Sequence, residues 1–320
     1  MTTIRTLAAS EVITEPGFYR MPLERHHGQP CDGVSVTSGV LRQMELATPA
    51  DVWAFHKLNP NRWEREETDA LRLGVAMALY VEGGAEAVLT GFRVHPEDKP
   101  RKPTKSQIIA VAEGRGTEAA IASVSYWSAV DADPHGYLTD EEFNTICVAG
   151  AVLAQDPSAS AVMGGEPEIT MAWQDELTGL WLLSRPDTVS FDGMLSDYKR
   201  MATRGEPFSW RTVDRRITDY GYDMQIAFGC EVFERLTGEW PTGGIVAQLA
   251  QPPHHVIIRE IADEDLRIAQ FRNRRAIARF KECLDSGYWP GPGDDVGVYQ
   301  RPDWQRTMLL EQMNTAYQAP

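Results

Sequence analysis

The residue types most able to do chemistry are concentrated in the segment Arg185-Pro-Asp-Thr-Val-Ser-Phe-Asp-Gly-Met-Leu-Ser-Asp-Tyr-Lys199. Asp187 stands ten residues before Asp197, and Lys199 follows two residues later. Residues i and i+2 of a strand share a face, so Asp197 and Lys199 project together. Asp192-Gly193 reads as a tight connection, and a hairpin can bring Asp187 beside them. Two carboxylates and an amine converging at sheet edges suit a divalent metal held by oxygen ligands. Such a metal polarises a phosphodiester and lowers the pKa of a bound water. The ammonium orients that water or stabilises charge developing on the phosphorane. On spacing alone the segment reads more readily as a solvated hairpin with ordinary surface charges, because Asp-x-Lys triplets are common.

The elements around this segment must position it. In Glu168–Trp173, alternation places Ile169, Met171 and Trp173 on one face of a strand. Asp175–Gly179 is a turn, and Leu180–Ser184, Thr188–Phe191 and Met194–Lys199 read as strands. A single long helix is expected over about 212–236, with Ile217, Tyr220, Met224, Phe228 and Leu236 forming its apolar stripe. Residues 244–250 and 254–261 read as strands. Asp263 can cap a helix running to about 285, stopped by Gly287 and Pro290. Upstream, helical segments are expected near 66–83, 105–130 and 139–156. Residues 1–60 read as an irregular arm with short helices, and the Pro/Gly/Trp-rich tail as an extended segment. The organisation expected is an arm (1–60), a helical lobe (61–165), a core (166–285) and a tail (286–320).

Composition sets the outer limits. The 320 residues carry 31 Lys plus Arg against 46 Asp plus Glu, a formal net charge of −15. This argues against coating nucleic acid or an acidic membrane through bulk positive charge. No secretory signal or membrane-spanning run stands out. Cys31, Cys147, Cys230 and Cys283 are too far apart for a CxxC site and fit reduced thiols of a cytoplasmic protein. No phosphate-binding loop, dinucleotide fingerprint or nucleophile elbow is present.

From Glu168 to Leu236 the sequence resembles the PD-(D/E)xK nucleases, and within them the RecE-type exonucleases and their phage relatives. The matching features are Glu168 with Trp173, Thr178-Gly179, Arg185-Pro186-Asp187, Asp197-Tyr198-Lys199, and the helix Tyr220-Gly-Tyr222-Asp-Met-Gln225-Ile-Ala-Phe228. Weaker similarity extends to Gly17–Pro22, Gly74–Ala76 and Gly287–Pro290. The resemblance implies a restriction-endonuclease-like α/β core with a mixed sheet of about five strands flanked by helices, preceded by a mostly helical lobe. It implies that Asp187, Asp197 and the Tyr198 carbonyl bind Mg2+ or Mn2+ and that Lys199 is catalytic. Gln225, Tyr222 and Glu168 would support the site or touch the DNA. It further implies resection of linear duplex, 5′ to 3′, yielding single strands for an annealing protein of the RecT type. A tetrameric ring and a phage or prophage origin in a bacterial host belong to the same expectation. The chain departs from the family pattern at Ala78, where many relatives have a histidine, and at Gly229, where the helix motif ends in tyrosine. Both departures leave open a weak or silent DNA-binding homologue. The cysteine spacing cannot hold the iron–sulfur cluster of some relatives.

Beside such a site, basic clusters become candidate phosphate contacts: Arg185, Arg200, Arg204, Arg215 and Arg216 around it, and Arg272, Arg274 and Arg275 on the last long helix. These clusters are expected to line one positive channel. Asp131–Glu142 fits a twelve-residue EF-hand loop, which would make a calcium-binding module. The reading favoured is a connection in which Thr139 caps a helix and Glu142 completes a capping box.

Overall fold

The computed structural model describes residues 3–64, 68–203, 205–294 and 297–317. The N-terminal part holds β1 (Ile4–Thr6), β2 (Gly17–Arg20), α1 (Leu23–His26), β3 (Ser35–Thr37), α2 (Ser38–Leu46) and α3 (Pro49–Phe55). A helical layer follows: α4 (Asp69–Gly91), β4 (Phe92–Val94), α5 (Lys105–Ala112), α6 (Glu118–Ala132), β5 (Gly136–Leu138), α7 (Asp140–Gln155) and α8 (Pro157–Val162). The centre comprises β6 (Glu166–Pro167), β7 (Thr170–Gln174), β8 (Trp181–Ser184), β9 (Thr188–Ser190), β10 (Met194–Met201), α9 (Trp210–Tyr220) and α10 (Tyr222–Thr237). It closes with β11 (Thr242–Leu249), β12 (Val256–Glu260), α11 (Asp263–Ser286) and α12 (Asp303–Tyr317).

The described strands form two five-stranded mixed sheets, ordered β1-β2-β7-β8-β3 and β12-β11-β10-β9-β6, and a two-stranded parallel pair of β4 and β5. The arm is therefore not irregular: Phe18 pairs with Met171 and Val36 with Leu182. β7 is covered on both faces, so its alternation is one of burial partners. Ile169 and Met171 join the main core, while Ala172 packs with Tyr19, Trp181 and Leu183.

β10 and β11 run parallel, which requires a crossover connection, and α9 and α10 supply it. The expected single helix is broken at Gly221, whose φ of 63° is left-handed. A side chain there would be strained, and its Cβ would also press on Leu46 and Arg42. α10 buries Met224, Ile226, Phe228 and Phe233 beneath the sheets. On the other face of the second sheet, Met77, Ile146 and Leu153 of α4 and α7 pack with Tyr198 and Val246.

α4 runs to Gly91, past the expected end, with non-helical dihedrals at Gly83 and Gly84; residues 66–67 of the expected segment lie outside the described residues. Among the described residues it is the one helix long and apolar enough to cross a membrane by length and composition. Its Ala76, Met77 and Val88 are buried in the helical layer. The tail is helical over α12, where an extended segment was expected. Before it, Trp289 stacks on Trp53 at 4.6 Å and Pro290 accepts a hydrogen bond from Ala50 N.

Candidate active site

β9 and β10 are antiparallel with Ser196 opposite Thr188. One further step of this register sets Asp197 opposite Asp187, the residue just before β9. Asp187 Oδ2 accepts the Tyr198 N–H at 2.6 Å. Asp197 is 1% exposed, accepts Gln225 Nε2 on Oδ1 at 2.7 Å, and has the Lys199 ammonium against Oδ2. Pleating places Tyr198 on the opposite face, where its hydroxyl donates to Gln248 Oε1 at 2.7 Å. Lys199 Nζ also lies 5.0 Å from the centroid of the Tyr222 ring.

Glu168 adopts a φ of 55°, uncommon for a residue with a side chain. Its N–H donates to the Asp187 carbonyl at 3.1 Å, and its carboxylate accepts Arg185 Nε at 2.5 Å. Arg185 is itself anchored by donating to the Met21 carbonyl at 2.9 Å. The arm therefore fixes one wall of the site.

Burial, and next the Asp197 charge beside it, push the Asp187 carboxyl well above the usual carboxylate range. Burial opposes the Lys199 charge, yet Asp197 and Asp187 outweigh it and raise its pKa. The ammonium is thus held charged, and two carboxylates share a volume with one cation.

This donor set fits a small divalent cation. Gln225 Oε1 is buried without a hydrogen-bond donor among the described residues, while Asp197 Oδ2 faces the Lys199 ammonium. Among the described residues no three His, Cys, Asp or Glu side chains converge as a closed metal cage. Mg2+ is commonly held by one or two carboxylates, keeping several waters and binding substrate phosphate. Asp187, Asp197 and the Tyr198 carbonyl are the groups that would hold it. Bound there, it would polarise a phosphoryl oxygen and acidify a water. Gln225 fixes the Asp197 carboxylate, and Lys199 offers a proton donor and positive charge beside it.

Of the arginines expected to meet phosphates, Arg185 lies at the site but is engaged by Glu168. Arg200 shares parity with Tyr198 and donates to the Ala250 carbonyl. Arg215 pairs with Glu206, and Arg216 donates to the Tyr220 hydroxyl at 3.0 Å. Arg204 lies outside the described residues. The α11 arginines are met within the chain: Arg272 by Glu45 and Asp223, Arg274 by Asp175 and Glu231, Arg275 by Glu45. These three therefore hold elements together, and α11 adds no unpaired trio to the expected channel. Sequence reasoning missed Arg42 of α2, whose guanidinium lies over the Tyr222 ring. No local motif marks it, because Tyr222 is far along the chain.

Gly229, one turn after Gln225, faces Leu195 and Ser184; a Cβ would come within 3.2 and 3.3 Å of them. Glycine here lets α10 approach the sheet closely. Ala78 is exposed on α4. In the 131–142 loop, Thr139 caps α7 and forms a reciprocal box with Glu142, as expected. Glu142 also binds Arg72, while Asp133 accepts from His135 and Tyr137. Two of the loop's acidic side chains are thus committed to internal partners.

Residues 45–301 match the model of a family described as a PDDEXK-like domain of unknown function, DUF3799. The chain belongs to this family. It thereby falls in the PD-(D/E)xK nuclease superfamily, as the resemblance implied. A crystal structure of an Eubacterium rectale protein, named as a candidate exonuclease, shares the fold. It has a TM-score of 0.59 and 18% identity, covering 88% of this chain and 96% of that one. The restriction-endonuclease-like architecture is thereby shared along most of both chains. No curated protein sequence matches this one.

Proposed function

We propose that this PDDEXK-like protein is a metal-dependent deoxyribonuclease that degrades linear duplex DNA from its ends. The observation that carries this reading is the pairing of half-buried Asp187 with buried Asp197, with Lys199 and Gln225 ordered on Asp197. Two acids and a lysine on neighbouring strands supply a cation seat and an ammonium at one phosphate-sized locus. The finer reading is RecE-type: resection 5′ to 3′ with Mg2+ or Mn2+, leaving single strands for an annealing protein of the RecT type. A ring-shaped homo-oligomer and a phage or prophage setting in a bacterial cytoplasm complete it.

Linear duplex labelled separately at its 5′ and 3′ ends, incubated with and without Mg2+, tests metal need and direction together. Loss of the 5′ label first, only with metal, is expected. Asp197→Ala and Lys199→Ala should abolish degradation while preserving the circular dichroism spectrum. Undiminished cleavage by both variants would sink the site assignment.

A further inference from the structure

We infer that Tyr220, Tyr222, Arg42 and Arg216 form a track that holds the reacting strand unpaired, with a base stacked on Tyr220 and a backbone phosphate at Arg42. This rests on the nuclease reading and deepens it by assigning how the substrate strand is seated.

The left-handed turn at Gly221 joins α9 to α10 and stacks the rings of Tyr220 and Tyr222, with centroids 5.6 Å apart and planes 30° apart. The inner ring, Tyr222, lies beneath Lys199, so the stack begins at the acid pair. The outer ring, Tyr220, is 44% exposed. A stack with a wet outer end and a catalytic inner end has the form of a base-binding platform.

Cations accompany both rings. Arg42 lies 5.6 Å from the Tyr222 centroid and donates to the Tyr220 carbonyl at 3.2 Å. Its Nε is buried without a partner, and among the described residues Arg42 makes no ion pair. It differs in this from Arg272, Arg274 and Arg275, whose charges are met by carboxylates. Arg216 lies over the Tyr220 ring, also at 5.6 Å, and holds its hydroxyl. Half-buried guanidiniums without carboxylates, beside stacked aromatics, match a polyanion whose bases are exposed. Stacking between neighbouring base pairs in a duplex would bury the faces that the platform reads, so the strand is unstacked and single where it meets the site.

The test uses the full chain in an Asp187→Asn background, which retains an acceptor for Tyr198 N–H but not the acid pair. Binding of a fluorescein-labelled single-stranded oligonucleotide is measured by anisotropy across a salt series. Tyr220→Leu should weaken binding about tenfold and Tyr220→Phe should leave it unchanged. Arg42→Gln should lower the slope of log K against log salt by about 0.7, the loss of one phosphate contact. Independently of any substitution in the track, 2-aminopurine stepped along the oligonucleotide should be quenched at one position.

Wild-type-like affinity and slope in Tyr220→Leu and Arg42→Gln overturn the track, as does absence of quenching at every position. If DNA degradation by the wild type is intact in those cases, the nuclease reading stands alone. Failure of the wild type to degrade DNA, with no strand bound, overturns both.

Discussion

Replacing Arg274 by methionine tests whether the α11 arginines are structural. Arg274 donates to Asp175 Oδ1 at 2.5 Å and pairs with Glu231, which is 0% exposed on α10. Methionine keeps most of the stem and removes the charge, leaving Glu231 buried without its cation. Breaking a buried pair in this way costs about 3–5 kcal/mol. For a chain of this size that is roughly 4–7 °C in Tm. Burial already raises the Glu231 carboxyl, and Arg274 pulls it back. Without Arg274 the shift grows. A raised acid pKa penalises the folded state above that pKa, and protonation relieves the penalty as pH falls through it. The deficit of Arg274→Met should therefore narrow between pH 7 and pH 5, and Glu231→Gln should recover much of it at pH 7. Urea unfolding followed by circular dichroism at both pH values measures this. A variant within about 1 kcal/mol of wild type at pH 7 that loses DNA binding would refute the reasoning and return Arg274 to the phosphate contacts.

Three other outcomes follow from the geometry. Because the Asp187 carboxyl is raised by burial and by Asp197, protons should compete with the cation. The Mg2+ concentration giving half-maximal degradation should rise as pH is lowered, and an unchanged requirement between pH 8 and pH 6 would contradict it. Gly229→Tyr, which restores the residue type of many relatives, should lower stability by about 3 kcal/mol or more because Leu195 and Ser184 occupy the space; an unshifted urea midpoint would show otherwise. Glu142→Gln should lower the thermal midpoint through loss of charge toward Arg72 and Thr139, with no calcium heat in either protein. A saturable calcium signal that the variant loses would restore the EF-hand reading.

The cluster of Asp187, Asp197 and Lys199 was legible because its geometry is local. Asp197 and Lys199 lie on β10, Asp187 directly precedes its neighbour β9, Asp192-Gly193 joins the two strands, and strand parity places Asp197 and Lys199 on one face. The Thr139 cap was legible for the same reason, three residues from its partner Glu142. The break between α9 and α10 was missed because apolar spacing continues through Gly221, although that glycine is the residue type that ends a helix in a left-handed turn. The arm strands were missed because three- and four-residue strands carry little periodicity, and β2 and β3 pair with β7 and β8 more than 130 residues away. The α11 arginines looked free in sequence because Glu45, Asp175, Asp223 and Glu231 reach them from other elements. Arg42 was missed for the converse reason, its neighbour Tyr222 being brought to it only by the fold.

The pairing of the arm with β7 and β8 has a consequence for how the protein is made. β1, β2 and β3 leave the ribosome long before Met171 and Leu182 exist to receive them. Until then the strand containing Phe18 lacks its partner on the β7 side, and Val36 waits without β8. The first sheet therefore assembles late, by long-range closure, with the helical layer already synthesised. A recombinant fragment trimmed to residues 45–301 would omit these strands altogether and leave β7 and β8 with naked edges. Such a fragment should aggregate, and adding back the first 44 residues as a separate peptide offers a way to complement it.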